Sequence, residues 1–386
     1  IGFPADYRQR LHDRIERTDR LWKHVSRIAE PWPAAARMVL EVLLMVYGAR
    51  HASVYKIGDL HQGVPEHRPT SRYNLDSKAI TEHFSIGVDI LNVIVETVPD
   101  GCIEYDVMEN LDRFVWQLSN TAGVQSVIAL PGIAKVINAG WSEGALKWRV
   151  LPRNRQVLVE AVQYIPTSSG LLNADCSTMP VMIFTKDHKA ETIAQVVETI
   201  KAYRKENATE RVRYRLATGN VGVMAATNEE VSSAQFPILI YVFAAIIILC
   251  LLTFRSVKAT LAITLPLGLV SLLAYALMTQ LEIGLKVSTL PVVALGVGIG
   301  VDYGIYIYSR FQSHLDEGMT IYHAYHETLK VTGNGDLVTG NTLAIVTTTW
   351  KNSPQQIQSD MGNQLTYMFK LNIHGSLLLQ PAKASR

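Results

Sequence analysis

Three apolar runs follow one another in the second half of this 386-residue chain, and they leave few folds open to it. Phe236–Phe254 is apolar for 19 residues, Ala259–Met278 is apolar apart from Thr260, Thr264 and Ser271, and Leu290–Tyr308 is the third. At about 1.5 Å per residue, each is long enough to cross a hydrocarbon core of roughly 30 Å as a helix. Charge is segregated to match. Residues 1–30 hold seven Lys and Arg, whereas 236–309 hold only Arg255, Lys258 and Lys286. The net charge of +2 therefore gives no reason to expect nucleic acid as a partner, and the basic residues serve instead as a guide to orientation. Arg255 and Lys258 lie in the tight link between the first two runs and Arg310 ends the third. Cytoplasmic flanks of spanning helices are enriched in Lys and Arg, so these ends and the basic segment 1–30 are expected in the cytoplasm and residues 51–233 outside it.

Around these runs the rest of the chain falls into place. Residues 5–30 place Leu11, Ile15, Leu21, Trp22, Val25 and Ile28 among charges, which suits an amphipathic helix on a membrane face or on another helix, and equally a solvated one. Pro33 to Gly48 reads as a spanning helix in which Arg37 and Glu41, four apart, can pair on one face. Within 51–233, strands are expected at Asp89–Thr97, Val124–Leu130, Gln156–Tyr164, Pro180–Thr185 and Val212–Ala217, with helices at Tyr105–Ser119 and Ala190–Lys205. Strand, helix, strand twice over suits two split βαβ units, with Pro131 to Gln156 as a loop or small flap between them. Segment 313–332 has the spacing of a further cytoplasmic surface helix. Val338–Trp350 and Gly362–Pro381 retain an apolar skeleton but are too short, or too broken by Lys370, Asn372 and His374, to pass as lipid-facing helices.

The expected fold is thus a membrane α-helical bundle with an inserted α+β domain. Its divisions are a cytoplasmic lead-in over 1–32, a spanning helix over 33–50, the outward domain over 51–233 and three spanning helices over 234–312. A surface helix follows over 313–335, then the atypically polar last helices over 336–386. The chain opens at Ile1 without the pattern of a secretory signal, as expected of a fragment or a processed form. Of its three cysteines, Cys250 lies in an apolar run, while Cys102 and Cys176 both fall in the outward domain, where an oxidising compartment permits a disulfide between them.

The sharpest chemical feature is the glycine-rich run from Leu295 to Arg310, with one acid, Asp302, deep inside it. Asp302 precedes Arg310 by eight residues, about 12 Å along a helix axis, too far to reach the interface easily. Gly296, Gly300 and Gly304 recur every four residues and form a groove for a neighbouring helix. Asp302 falls on a different face, in line with Gly298, Tyr306 and Ser309, with Tyr303 and Tyr306 expected to donate hydrogen bonds to it. An acid held there, away from water, can take a proton from one side and release it to the other as its surroundings change. A static, paired acid is the alternative, but an ionisable group inside a membrane helix is functional by default.

Gly298, Gly300, Asp302, Tyr303 and the Ser309-Arg310-Phe311 ending closely resemble the central helix of resistance-nodulation-division (RND) exporters of the MMPL-like branch, which includes predicted exporters of hopanoids and other lipids. The resemblance covers most of residues 1–330. In such proteins each half has one spanning helix, an extracytoplasmic porter domain and five more spanning helices, and the present order matches one half, with the lead-in suggesting the second. The resemblance implies a secondary transporter rather than an enzyme, sited in the bacterial inner membrane with 51–233 as a periplasmic porter domain. Its cargo would be hydrophobic or lipid-like, its coupling ion the proton with no other cofactor, and Asp302 and Tyr303 its proton relay. Thr339 and Thr342 would support Asp302 from the next helix. The partners implied are the bilayer, a second half in the same full-length chain or another protomer, and a further protomer or periplasmic protein. A non-transporting membrane subunit that keeps the RND fold and binds another protein is the rival reading.

Weaker signals carry less. Gly140-Trp141-Ser142-Glu143-Gly144 has the spacing of a hydrolase nucleophile elbow but lies in the expected loop, where a turn is the better reading. His323 and His326 lack a third ligand at a recognisable spacing and read as solvated surface histidines. No phosphate-binding glycine loop ending in Lys-Ser or Lys-Thr occurs, which argues against ATP hydrolysis by the chain itself.

Overall fold

The computed structural model describes residues 18–64, 66–84 and 86–378. It divides into two compact units, 1–56 with 231–386, and 57–230. A helical segment over 18–26 and a short turn (Arg27–Ala29) lead into α1 (Pro31–Ala52). The unit of 57–230 holds α2 (Arg72–His83), β1 (Ile90–Thr97), α3 (Tyr105–Ser119), β2 (Val124–Ile128), α4 (Leu130–Gly140), α5 (Arg155–Gln163), β3 (Thr178–Thr185), α6 (Ala190–Asn207) and β4 (Val212–Thr218). Helix α7 (Asn220–Phe254) starts there and finishes in the other unit, which continues with α8 (Val257–Gln280), α9 (Leu290–Asp316) and α10 (Ile321–Thr328). A π-helical turn (Leu329–Gly333) joins α10 to α11 (Asn334–Thr349), and α12 (Gln356–Leu378) closes the described chain.

In the α+β unit the four strands are ordered β2-β3-β1-β4, and every neighbouring pair is antiparallel. Strands β1 and β2 flank α3, and β3 and β4 flank α6, so two strand-helix-strand units interleave in one sheet. Alternation drives the burial. Leu91, Val93 and Val95 of β1 and Met179, Val181 and Ile183 of β3 point into one core with Leu111 and Phe114 of α3 and Val196 and Ile200 of α6. At one end Phe114, Tyr203 and Tyr214 pack ring against ring at 4.7–5.5 Å, and the Tyr203 hydroxyl donates to the Asn110 carbonyl at 2.9 Å. Gly219 turns β4 into α7 with φ of +84°, where an added Cβ would sit 2.6 Å from the Ile90 carbonyl oxygen.

Two expectations fail in this unit. Gln156–Tyr164, expected as a strand, is helix α5: Asn154 caps it by accepting from the Gln156 and Val157 amides, and Leu158, Ala161 and Val162 are buried at helical spacing. The stretch after β2, expected as a loop or flap, forms α4 at once, with Leu130, Pro131, Ala134 and Asn138 buried. The Gly140–Gly144 motif therefore follows a helix rather than a strand, the wrong context for a nucleophile elbow. Cys102 and Cys176 are joined in a disulfide, with Cα atoms 5.5 Å apart.

Residues that hold β1 to the following segments carry charge. His188, buried, lies 2.9 Å from Asp89 through Nδ1, and Ala190 donates its amide to the Asp59 carbonyl at 2.8 Å. Burial pushes the His188 imidazole down, but the hydrogen bond and charge of Asp89, with help from Asp59, outweigh it and hold the ring above its ordinary value.

In the helical unit α1, α7, α8 and α9 are each long and apolar enough to cross a membrane among the described residues. Helix α8 is the most enclosed of these four, packing against α1, α9 and α12, and the hydroxyls in its first half and middle are satisfied within the helix. The hydroxyls of Thr260, Thr264 and Ser271 donate to the carbonyls of Ser256, Thr260 and Leu267 at 3.1, 2.9 and 3.0 Å.

The lead-in resolves to helix packing over its described residues, while Leu11 and Ile15 lie outside them. Trp22, 2% exposed, clusters with Ala29, with Tyr303, Ile307 and Phe311 of α9, and with Ala324 and Tyr325 of α10. Beside this cluster Asp19 lies 3.0 Å from Lys23, 3.1 Å from His326 and 3.7 Å from Lys330. His326 is thus buried against an acid rather than solvated; His323 is exposed as expected.

Candidate functional site

The glycine run of α9 is shaped by what its missing side chains admit. An added Cβ at Gly296 would lie 2.4 Å from the Met368 Cε, and at Gly300 2.5 Å from the Asn372 Cγ, so α12 packs directly onto the α9 backbone. At Gly304 the neighbour is Ile263 of α8, 3.0 Å away. Into this notch Asn372 donates from Nδ2 to the Gly296 carbonyl at 2.7 Å. The expected packing seam is therefore present, and a polar residue that spoiled α12 by hydropathy is a contact of that seam. Lys370 and His374 are exposed, while Gln364, Asn372 and Ser376 face inward.

Opposite the seam, Gly298, Asp302, Tyr306 and Ser309 form one exposed line, with Tyr306 61% exposed. The sequence expectation of a shared face holds, but the burial expected for Asp302 is not supplied by the described residues. Among the described residues its carboxylate has no hydrogen bond or ion pair, and neither Tyr303 nor Tyr306 donates to it. The reason is geometric: successive residues on a helix diverge by about 100°, which turns Tyr303 into the bundle as Asp302 turns out of it. Thr339 and Thr342 are exposed, and the Thr342 hydroxyl donates to the Val338 carbonyl at 2.8 Å, so no hydrogen bond joins either to Asp302 among the described residues.

Tyr303 is 4% exposed, and its hydroxyl has no hydrogen-bond partner among the described residues. It lies 3.4 Å from where a Cβ on Gly340 of α11 would be. One helical turn before Gly340 stands Asp336, 7% exposed, whose Oδ2 is enclosed and without a hydrogen-bond partner. Tyr303 follows Asp302 directly in the chain and reaches Gly340, one helical turn from Asp336. The site is thus one tyrosine between two acids, one turned outward and one inward. Sequence reasoning missed Asp336 because it is the first residue of the expected last helices, two ahead of the apolar skeleton taken from Val338. The usable signal was an acid four residues ahead of a glycine, the spacing that leaves room for a side chain from a facing helix.

A family model described as the MMPL family matches residues 76–359, a span that includes the interleaved sheet, α9 and the Asp302-Tyr303 pair. The chain belongs to the MMPL family. Within it, this MMPL chain is 25% identical over 229 residues to "Probable transport protein MmpL9" of Mycobacterium tuberculosis (strain ATCC 25618 / H37Rv). The aligned region is 56% of this chain and 23% of that relative, so the MMPL chain spans well under half of the curated relative's length. MMPL proteins are membrane proteins, in accord with the four apolar helices.

Proposed function

We propose that this MMPL chain is one half of a proton-motive-force-driven exporter of hydrophobic or lipid-like compounds, seated in the bacterial inner membrane with residues 51–233 as its periplasmic porter domain. The observation that carries the reading is Asp302, an acid in the middle of an apolar helix on a face the described residues leave uncovered. A carboxylate facing lipid at that depth costs about 3 kcal/mol or more, so such a face is covered by protein or by a water-filled path. A second half, in the same full-length polypeptide or a second protomer, supplies that cover.

Proton binding at Asp302 removes a charge from the surface shared by the two halves and changes which packing of those halves is favoured. A proton taken up from the periplasm and released to the cytoplasm thereby ties one shape change to one passage of charge. Tyr303, directed inward, connects Asp302 to the interior of its own half. The cargo path belongs to the α+β unit, and its ligand is taken from the family relationship rather than from any residue signature. The relative's transport role supports the same reading.

The test is Asp302→Asn in membrane vesicles carrying the complete protein. Expected is a loss of proton-coupled flux with insertion and expression unchanged. Undiminished flux in that variant would overturn the reading, whereas a stoichiometric partner on purification and no proton-coupled flux from the wild type would favour a membrane subunit that does not transport.

A further inference from the structure

Asp336 has the surroundings of a working acid rather than a structural one. A structural carboxylate in a membrane bundle is paired; Asp336 forms no ion pair among the described residues, and its Oδ2 meets no donor. The Tyr303 hydroxyl is also buried and, among the described residues, also unpartnered. Two enclosed groups that could satisfy each other are held one helical turn apart along α11, at Asp336 and beside Gly340.

The groups around Asp336 fix the direction of its outlet. From α12, Ile373 fills the space at Gly340 and Leu377 that at Gly333, so that side is apolar, while Lys370 and His374 turn outward. From the lead-in, the Trp22 indole donates to Asn334, two residues before Asp336, at 3.0 Å. Beyond Trp22 lies the charged cluster: Asp19 with Lys23, His326 and Lys330, and Lys330 with Glu327 at 3.0 Å. Asp336 therefore stands between Tyr303 on one side and the charged, water-accessible end of the bundle on the other.

We propose that Asp336 is a second proton-binding residue of the same relay, exchanging a proton with Asp302 through the Tyr303 hydroxyl and releasing it at the end of the bundle marked by Asp19 and Lys330. The proposal rests on the exporter reading above. The exchange is balanced and needs a change of shape, since neither acid is hydrogen-bonded to the Tyr303 hydroxyl here: once both carboxyls reach it, the Asp302 carboxylic acid gives its proton to the phenol oxygen as the phenol O–H proton passes to the Asp336 carboxylate. The tyrosine ends neutral, Asp302 ends as carboxylate and Asp336 as acid. No other reactant is consumed.

Asp336→Asn tests it, because the amide keeps the size and neutrality of the protonated acid but cannot carry a proton. A static neutral acid would tolerate this change; a relay member would not. In vesicles carrying the complete protein, Asp336→Asn is expected to lower proton-coupled flux by roughly a hundredfold, the scale of a lost general acid-base group, and Asp336→Glu to restore flux with a displaced pH profile. If Asp302→Asn is inactive while Asp336→Asn keeps wild-type flux and pH profile, the role of Asp336 is overturned and the exporter reading stands. If Asp302→Asn keeps full flux, the exporter reading falls and this inference falls with it. Should the Asp336 variants fail to insert, the wild-type protein provides the readout through a hydrophobic carbodiimide, which labels protonated carboxyls. Labelling of Asp336 that declines as pH rises is expected; no labelling of Asp336 at any pH would overturn the proposal.

Discussion

Asn372 of α12 donates its side-chain amide to the main-chain carbonyl of Gly296 on α9, 2.7 Å away, through a notch that exists because Gly296 and Gly300 have no side chains. A hydrogen bond from one helix to the backbone of another fixes both depth and rotation, which apolar packing alone does poorly in lipid.

Gly300→Ala would place a methyl group 2.5 Å from the Asn372 Cγ. It is expected to destabilise the bundle by roughly 2 kcal/mol through overpacking. Thermal unfolding in detergent reads the loss, and Gly300→Ala combined with Asn372→Ala should recover most of it. Equal stability of Gly300→Ala and wild type would contradict the seam.

The Cys102–Cys176 disulfide closes a sequence separation of 74 residues. Cys102→Ser should cost about 4 kcal/mol by the chain-entropy estimate. Denaturant titration measures it, and a thiol count on the unfolded, unreduced wild type should find Cys250 alone reactive. Three reactive thiols would refute the bond.

His188 gives the α+β unit a pH dependence of definite sign. Its imidazole is held above the ordinary value in the folded protein, so the Asp89 pair stabilises fully below about pH 6.5, the unfolded value, and its contribution is lost as pH rises through the folded value. His188→Gln should remove that dependence and cost roughly 3 kcal/mol on the acid side by leaving Asp89 buried without its partner. Unfolding midpoints of wild type and variant across that range decide it; parallel curves would show that the pair does not titrate with folding.

Trp22→Ala should free the lead-in from α9 and α10, at a cost of roughly 3–5 kcal/mol for an emptied buried aromatic site. Its neighbour Leu21 is 57% exposed, and Leu21→Ala should stay within about 0.5 kcal/mol. Limited proteolysis at the basic residues Arg20, Lys23 and Arg27 separates the two, and similar cleavage of both variants would show that the lead-in is not docked.

What the sequence made legible followed from patterns with a single physical cause. Long apolar runs, the glycine repeat and the placement of Asp302 on the face of Gly298, Tyr306 and Ser309 all follow from helical geometry. The errors came where two causes compete. Val157, Val159 and their neighbours suggested a strand by alternation and branching, yet the cap at Asn154 and the buried trio Leu158, Ala161 and Val162 make a helix. Helix α12 was obscured because hydropathy averages around the circumference, and the side of α12 packed on other helices is where Gln364, Asn372 and Ser376 sit. Asp336 was passed over because it stands at the edge of the expected last helices, two residues before the apolar skeleton taken from Val338.

The π-helical turn at Leu329–Gly333 sets an angular phase. A π turn holds one residue more than the α-helical turn it replaces, and one residue is worth about 100° of rotation. Deleting a single residue there would leave the composition of α11 intact and swing Asp336 about a quarter of the way round its axis, away from Tyr303. The direction in which Asp336 faces is therefore a property of spacing in the turn ahead of it.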